Sequence, residues 1–184
     1  IRDALGNDCA RIWDADSAVR RIQSRPEIIA RIAERFGAGM IAPDGSLNRK
    51  ALASVAFSNE RELKALTAIL REPIDAELAA AIESAESDGV RWLILDAPTL
   101  YESGNIGRCD WVAYITATEE AKNARAAARG WQAGEVARRE ARLESASKKK
   151  ERSDIVIDNS GDAVSLRDDI IRHLKTVRED HCND

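Results

Sequence analysis

The sequence predicts an α/β protein built on a parallel β-sheet with crossover helices, and three features carry that expectation. Short apolar runs are separated by longer stretches of helical periodicity. Two of the runs, Trp92-Leu93-Ile94-Leu95 and Trp111-Val112-Ala113-Tyr114-Ile115, are continuous rather than alternating. That is the pattern of strands buried on both faces of a parallel sheet. Each run also ends in a polar turn: Asp14-Ala15-Asp16, Asp96-Ala97-Pro98, Thr116-Ala117-Thr118 and Asp158-Asn159-Ser160-Gly161. Open α/β sheets build ligand sites at the carboxyl ends of their strands, so these turns are the first places to look for chemistry.

The strands are placed near 10–14, 92–96, 111–116 and 154–158. After the first strand, Pro26 suits a first helical position, with Ile28, Ile29, Ile32, Ala33 and Phe36 on one stripe and Gly37 as the stop. Asn48 to Ala56, Asn59 to Leu70 and Ile74 to Ser87 read as three more helices, with Asn59 as a cap. This surplus over a simple crossover makes 17–89 a helical insertion suited to substrate binding. Thr118 to Gly130 and Ala133 to roughly Ser147 read as Arg- and Lys-rich helices, and Ser165 to Val177 as a closing amphipathic one. The whole of 1–184 is expected to be one domain.

Composition narrows the function classes without naming one. With 28 Lys+Arg against 32 Asp+Glu, the net charge of −4 argues against nonspecific nucleic-acid binding. No apolar run approaches the ~18 residues of a membrane span. Cys9, Cys109 and Cys182 are scattered and unpaired in spacing, which points to a reducing, cytoplasmic setting. The histidines, His173 and His181, both lie near the C-terminus, so no metal-ligating set is expected.

Five strings go further. Trp13-Asp14-Ala15-Asp16-Ser17-Ala18-Val19 resembles the "IDADxIA" strand end of dephospho-CoA kinases. Arg35-Phe36-Gly37 with Ile41 to Leu52 resembles their "FG…DGxLdRxaL" stretch, and Val55 to Asn59 its "iVFsd" continuation. Leu95-Asp96-Ala97-Pro98-Thr99-Leu100-Tyr101-Glu102-Ser103-Gly104 is similar to "DvPLLfEsg", and Ser153 to Gly161 to "ADxVIdNsG". The likeness runs in order from about Gly6 to Leu174. It implies a kinase of the P-loop, nucleoside-monophosphate-kinase-like type that uses ATP and Mg²⁺. Its implied reaction phosphorylates the ribose 3′-hydroxyl of dephospho-CoA, the last step of coenzyme A synthesis.

The resemblance also implies roles for residues. Asp16 is the base for the hydroxyl proton, since an ionised carboxylate suits a late proton transfer. On position alone, Asp14 and Asp16 read equally well as helix caps. Asp96, Leu100 and Tyr101 fall on the substrate side, and 17–89 becomes the CoA-side subdomain. Residues 118–150 become a lid over ATP, in which Arg139 acts catalytically and Arg129 and Lys149 bind the nucleotide. Asn159 lies where the base edge would be read. Arginine's planar fork suits phosphate in such a lid. A monomer or weak homo-oligomer is expected.

The sequence also departs from the pattern. No G-x-x-x-x-G-K-[ST] string occurs in the 184 residues. The resemblance puts that cradle upstream of a helix ending at Ile1 to Leu5, so the expectation is a P-loop segment ahead of Ile1 and impaired chemistry without it. The family's "HP" is Glu72-Pro73 here, and the glutamine and proline of "RixxQmP" fall on Leu143 and Ser145. These changes keep two alternatives open: a kinase with another nucleotide or small-metabolite acceptor, and a noncatalytic homologue.

Overall fold

The computed structural model describes residues 9–56, 58–141 and 143–180; the expected helix end at Ile1 to Leu5 lies outside them. The described residues fall into two compact units, one running to Ala97 and one beginning at Pro98.

The first unit contains β1 (Ala10–Asp14), α1 (Ala15–Ile22), α2 (Pro26–Phe36), a 3₁₀ turn (Ala38–Met40), α3 (Arg49–Ala56), α4 (Glu60–Ser87) and β2 (Trp92–Asp96). β1 and β2 pair in parallel from Ala10↔Trp92 to Asp14↔Asp96, so both strands end level. α2 begins at Pro26, whose missing N–H would be unsatisfied at a helix start anyway, and buries Ile28, Ile29 and Ile32. It stops at Gly37, whose φ of 96° suits only glycine without strain.

α4 corrects the sequence reading. The break expected at Glu72-Pro73 does not occur, and one helix of 28 residues runs through Pro73. An internal proline costs about 3 kcal/mol. Against that, Leu66, Leu70 and Leu78 are buried on the same helix, and each buried leucine contributes about 1.5–3 kcal/mol. Leu66 and Leu70 join a core with Ile22, Ile28, Ile32, Met40 and Leu52. Leu78 joins Trp13 and Ala18, and Ile74 packs on both clusters. One continuous rod serving two clusters outweighs the proline.

The second unit contains α5 (Leu100–Ser103), a 3₁₀ turn (Asn105–Arg108), β3 (Ala113–Thr116), α6 (Glu119–Ala128), α7 (Glu135–Glu140), α8 (Ala146–Glu151), β4 (Ile155–Asp158) and α9 (Ala163–Asp180). β3 and β4 are parallel from Ala113↔Ile155 to Thr116↔Asp158. The helix expected over Ala133 to Ser147 is two short helices. Gly134, at φ 78°, precedes the first, and the Ser145 hydroxyl accepts from the Lys148 N–H to start the second.

Full burial of the strands on both faces is not found. Ile12, Ile115 and Val156 are exposed. Among the described residues each strand has a single neighbour, and the sheets are two parallel pairs. Helix cover comes to β1 from α1 and α4, and to β4 from α9.

Leu78 has no exposed surface. Leu78→Ala should therefore lower the free energy of unfolding by about 2–5 kcal/mol in a urea titration; a loss below about 0.5 kcal/mol would refute the two-cluster account of α4.

Candidate active site

In the first unit the polar groups gather at the ends of β1 and β2. The Asp14↔Asp96 register sets these residues on neighbouring strands, about 4.8 Å apart along the hydrogen-bonding direction. The two aspartates of the β1 end then take different tasks. The Ser17 N–H donates to Asp14 Oδ1 at 2.6 Å, so Asp14 is the cap of α1. Those Ser17 hydrogen bonds, aided by Arg20 and Arg21, hold the Asp14 carboxyl below its ordinary value. Asp16 lies in the first turn of α1 and is exposed. Among the described residues it has no hydrogen-bond or ion-pair partner. Asp96 is exposed as well. A committed carboxylate thus stands beside two uncommitted ones.

The basic end of α1 is braced from α4. Glu77 accepts from Arg21, and from Arg25 at 2.9 Å, with only 19% of its own side chain exposed. Glu72, the residue at the family's histidine, is exposed on α4.

The second unit presents its polar groups on α6, α7 and the turn after β4. Arg125 donates to the carbonyls of Asn159 at 2.5 Å and Gly161 at 3.3 Å, and the Thr118 N–H donates to Ser160 Oγ at 2.8 Å. The 158–161 turn is therefore fastened to α6. Asn159 itself donates its N–H to the Thr116 carbonyl at 2.7 Å. Its side-chain amide has no partner among the described residues. Arg129 is the exposed C-cap of α6, beside Gly130 at φ 77°.

Arg139 is held but accessible. It donates to Glu135 Oε1 through Nε at 3.2 Å and Nη2 at 2.8 Å, and its guanidinium lies 4.0 Å over the Trp131 ring. Arg139 in turn pulls the Glu135 carboxyl below its usual range. The Arg139 side chain is 58% exposed, and exposed pairs of this kind are weak, so a phosphate can displace the carboxylate. Lys122 joins α6 to α7 by bonding Glu119 and Glu140, each at 2.8 Å, and these bonds raise its pKa.

Lys149 is differently placed. Its side chain is 7% exposed and its Nζ lies 3.0 Å from Glu102 Oε1. Tyr101 is occupied too, its hydroxyl 2.6 Å from Ser153 Oγ and 3.1 Å from the Lys149 carbonyl. Leu100 opens the same short helix and is half-buried. Sequence reasoning overlooked Glu102 as the partner of Lys149, although the "DvPLLfEsg" string contains it. It likewise overlooked Trp131 and Glu135, whose only signal was their spacing from Arg139.

Among the described residues no group of three or more His, Cys, Asp or Glu side chains is arranged to hold a metal ion. Nor is any helix among them long and apolar enough to cross a membrane.

A model of the dephospho-CoA kinase family matches residues 3–165. The chain belongs to that family. It is 36% identical over 156 residues to the dephospho-CoA kinase of Symbiobacterium thermophilum, a match covering 83% of this chain and 64% of that enzyme. Against the dephospho-CoA kinase of Deinococcus radiodurans it is 32% identical over 167 residues, covering 90% and 80%. The fold is shared with a crystal structure from Thermus thermophilus, at TM-score 0.80, 24% identity and coverage of 95% and 87%. A dephospho-CoA kinase from Campylobacter jejuni superposes at TM-score 0.67 and 19% identity, covering 98% and 89%. The reaction of the family is the ATP-dependent phosphorylation of dephospho-CoA to coenzyme A.

The low Asp14 pKa gives an acid signature with a definite sign. Because the folded value lies below the unfolded one, the cap stabilises fully above the ordinary carboxyl value of 3.8 and is lost as pH falls through the folded pKa. Melting temperature should fall between pH 5 and pH 2 more steeply in the wild type than in Asp14→Asn. Parallel curves would contradict the cap assignment.

Proposed function

We propose that this chain binds dephospho-CoA at the ends of β1 and β2 and transfers the γ-phosphoryl group of ATP to its ribose 3′-hydroxyl, with Asp16 as the base. The observation that carries the reading is the division of labour between Asp14 and Asp16. Asp14 spends its acceptor on the α1 cap, whereas Asp16 offers an exposed carboxylate two residues beyond the strand end. Phosphoryl transfer needs little more from the protein than positioning and charge stabilisation, and an ionised carboxylate takes the hydroxyl proton as the oxygen becomes acidic.

The helical insertion at 17–89 is the acceptor-side subdomain in this reading, and 118–150 the lid. Arg139 leaves Glu135 for the transferring phosphoryl group, and Arg129, exposed at the α6 terminus, meets the same triphosphate. Asn159, with its side-chain amide uncommitted, reads the adenine edge. Mg²⁺ binds through one or two carboxylates together with substrate phosphates. The exposed Asp96 has that donor chemistry, and a bound ion would neutralise charge on the phosphates. No residue is assigned to cradle the phosphates, because the 184 residues hold no P-loop string. The setting we assign is the cytoplasm, with the chain acting as a monomer or weak homo-oligomer.

Glu72 favours a second reading, a kinase with a different acceptor. An acceptor panel with ATP and Mg²⁺ separates the two. Fastest turnover with dephospho-CoA, with the new phosphate on the 3′-oxygen, is the expected result; a better acceptor of another class would replace it.

Asp16→Asn should lower kcat by about 10²–10⁴-fold with ATP affinity preserved, and turnover near wild type would remove Asp16 as the base. Arg139→Ala should lower kcat far more than it raises the KM for dephospho-CoA. Equal losses would mean that Arg139 binds ground state and transition state alike.

A further inference from the structure

We infer that Tyr101, Glu102, Lys149 and Ser153 form a clasp that fixes the C-terminal root of the lid, with Lys149 as a positioning residue rather than a phosphate ligand. The clasp is a feature of the second unit in its own right; its consequence for turnover rests on reading 118–150 as a lid.

Glu102 Oε1 accepts both from the Glu144 N–H at 2.7 Å and from Lys149 Nζ at 3.0 Å. Lys149 Nζ also faces the Pro98 carbonyl at 3.4 Å and lies 5.4 Å from the Tyr101 ring centroid. Ser153 Oγ donates to the Lys149 carbonyl at 2.5 Å, and the Tyr101 hydroxyl sits against both groups. Arg152 closes the ring, with its guanidinium 5.2 Å over Tyr101 and its Nη1 3.0 Å from Glu144 Oε2. Two residues of α5 thereby hold four residues between Glu144 and Ser153, immediately before β4.

Charge and burial argue that these contacts persist. Burial works to raise the pKa of Glu102, yet the Glu144 amide, its own amide and Lys149 outweigh burial and hold the carboxyl low. A buried lysine stripped of its carboxylate keeps an uncompensated charge. A phosphate arriving at α8 would meet the exposed Lys148 and Lys150 first. Upstream, Arg125 ties α6 to the 158–161 turn and Lys122 ties it to α7, but Arg139 is held by one pair with Glu135 in which its own side chain is 58% exposed. Lid motion is therefore confined to residues before Glu144, and the segment feeding β4 stays put. That anchor gives Arg139 a fixed root from which to reach the phosphate.

The test is amide hydrogen exchange on the protein, comparing wild type, Glu102→Gln, Lys149→Met, the double variant and the milder Tyr101→Phe. Each charge variant should speed exchange at least about tenfold in both Leu100–Gly104 and Glu144–Ser153, leaving α6 unchanged. The double variant should be no worse than the poorer single one, because both remove the same contact. Tyr101→Phe should loosen 149–153 to a smaller degree and keeps the proposal testable should a charge variant not fold. Changes confined to the substituted segment, or additive effects, would overturn the clasp. In turnover, Glu102→Gln should lower kcat with the KM for dephospho-CoA unchanged. A fall in the KM for ATP instead would show Lys149 released to bind phosphate, and would overturn the positioning role. Should the wild type transfer no phosphate, the kinase reading fails while the exchange data still decide the clasp.

Discussion

The parallel pairing of β1 with β2, ending level at Asp14 and Asp96, is the constraint from which the first unit follows. Parallel strands need a crossover, and here the crossover is the whole helical insertion. The first turn beyond β1 is the start of α1, so its capping residue must be the last residue of the strand. Asp14 meets that demand through Ser17. Once Asp14 is committed, Asp16 is left two residues on with its carboxylate exposed. The same local chemistry that begins a helix thus separates a capping acid from an exposed one.

The second unit divides its charges along a similar line. Those that hold structure are shielded or aimed at backbone carbonyls: Lys149 against Glu102, and Arg125 on the turn at Asn159. The arginines suited to phosphate are exposed, Arg129 without a partner among the described residues and Arg139 in a pair that solvent weakens. Burial decides the role more than residue type does. The resemblance placed both Lys149 and Arg139 near the nucleotide, yet Lys149 is 7% exposed against Glu102 whereas Arg139 is 58% exposed beside Glu135.

Much of this was legible in the sequence for reasons that can be named. The strand positions followed from short apolar runs, the end of α2 from Gly37, and the start of α4 from Asn59, whose side chain accepts from the Glu62 N–H at 3.0 Å. What was misread depended on distant packing. Pro73 reads locally as a break, and only the two clusters that α4 joins explain why the helix continues. Ala133 to Ser147 was read as one helix because its composition is helical, while Gly134 divides it through its positive φ and Ser145 through its capping hydroxyl. The buried state of Lys149 rests on Glu102, far away in sequence, and no local pattern announces such a pair. The acid pair at the β1 end was visible, but its split into cap and free carboxylate needed the 2.6 Å contact to Ser17.

The central claim is that the acceptor sugar meets the carboxylates at the ends of β1 and β2. The most direct measurement is an amide NMR titration of the protein with dephospho-CoA. The account expects the largest shift changes at Asp14 to Ser17 and at Asp96 to Ala97. Saturable binding that leaves those amides unmoved while shifting others would contradict it.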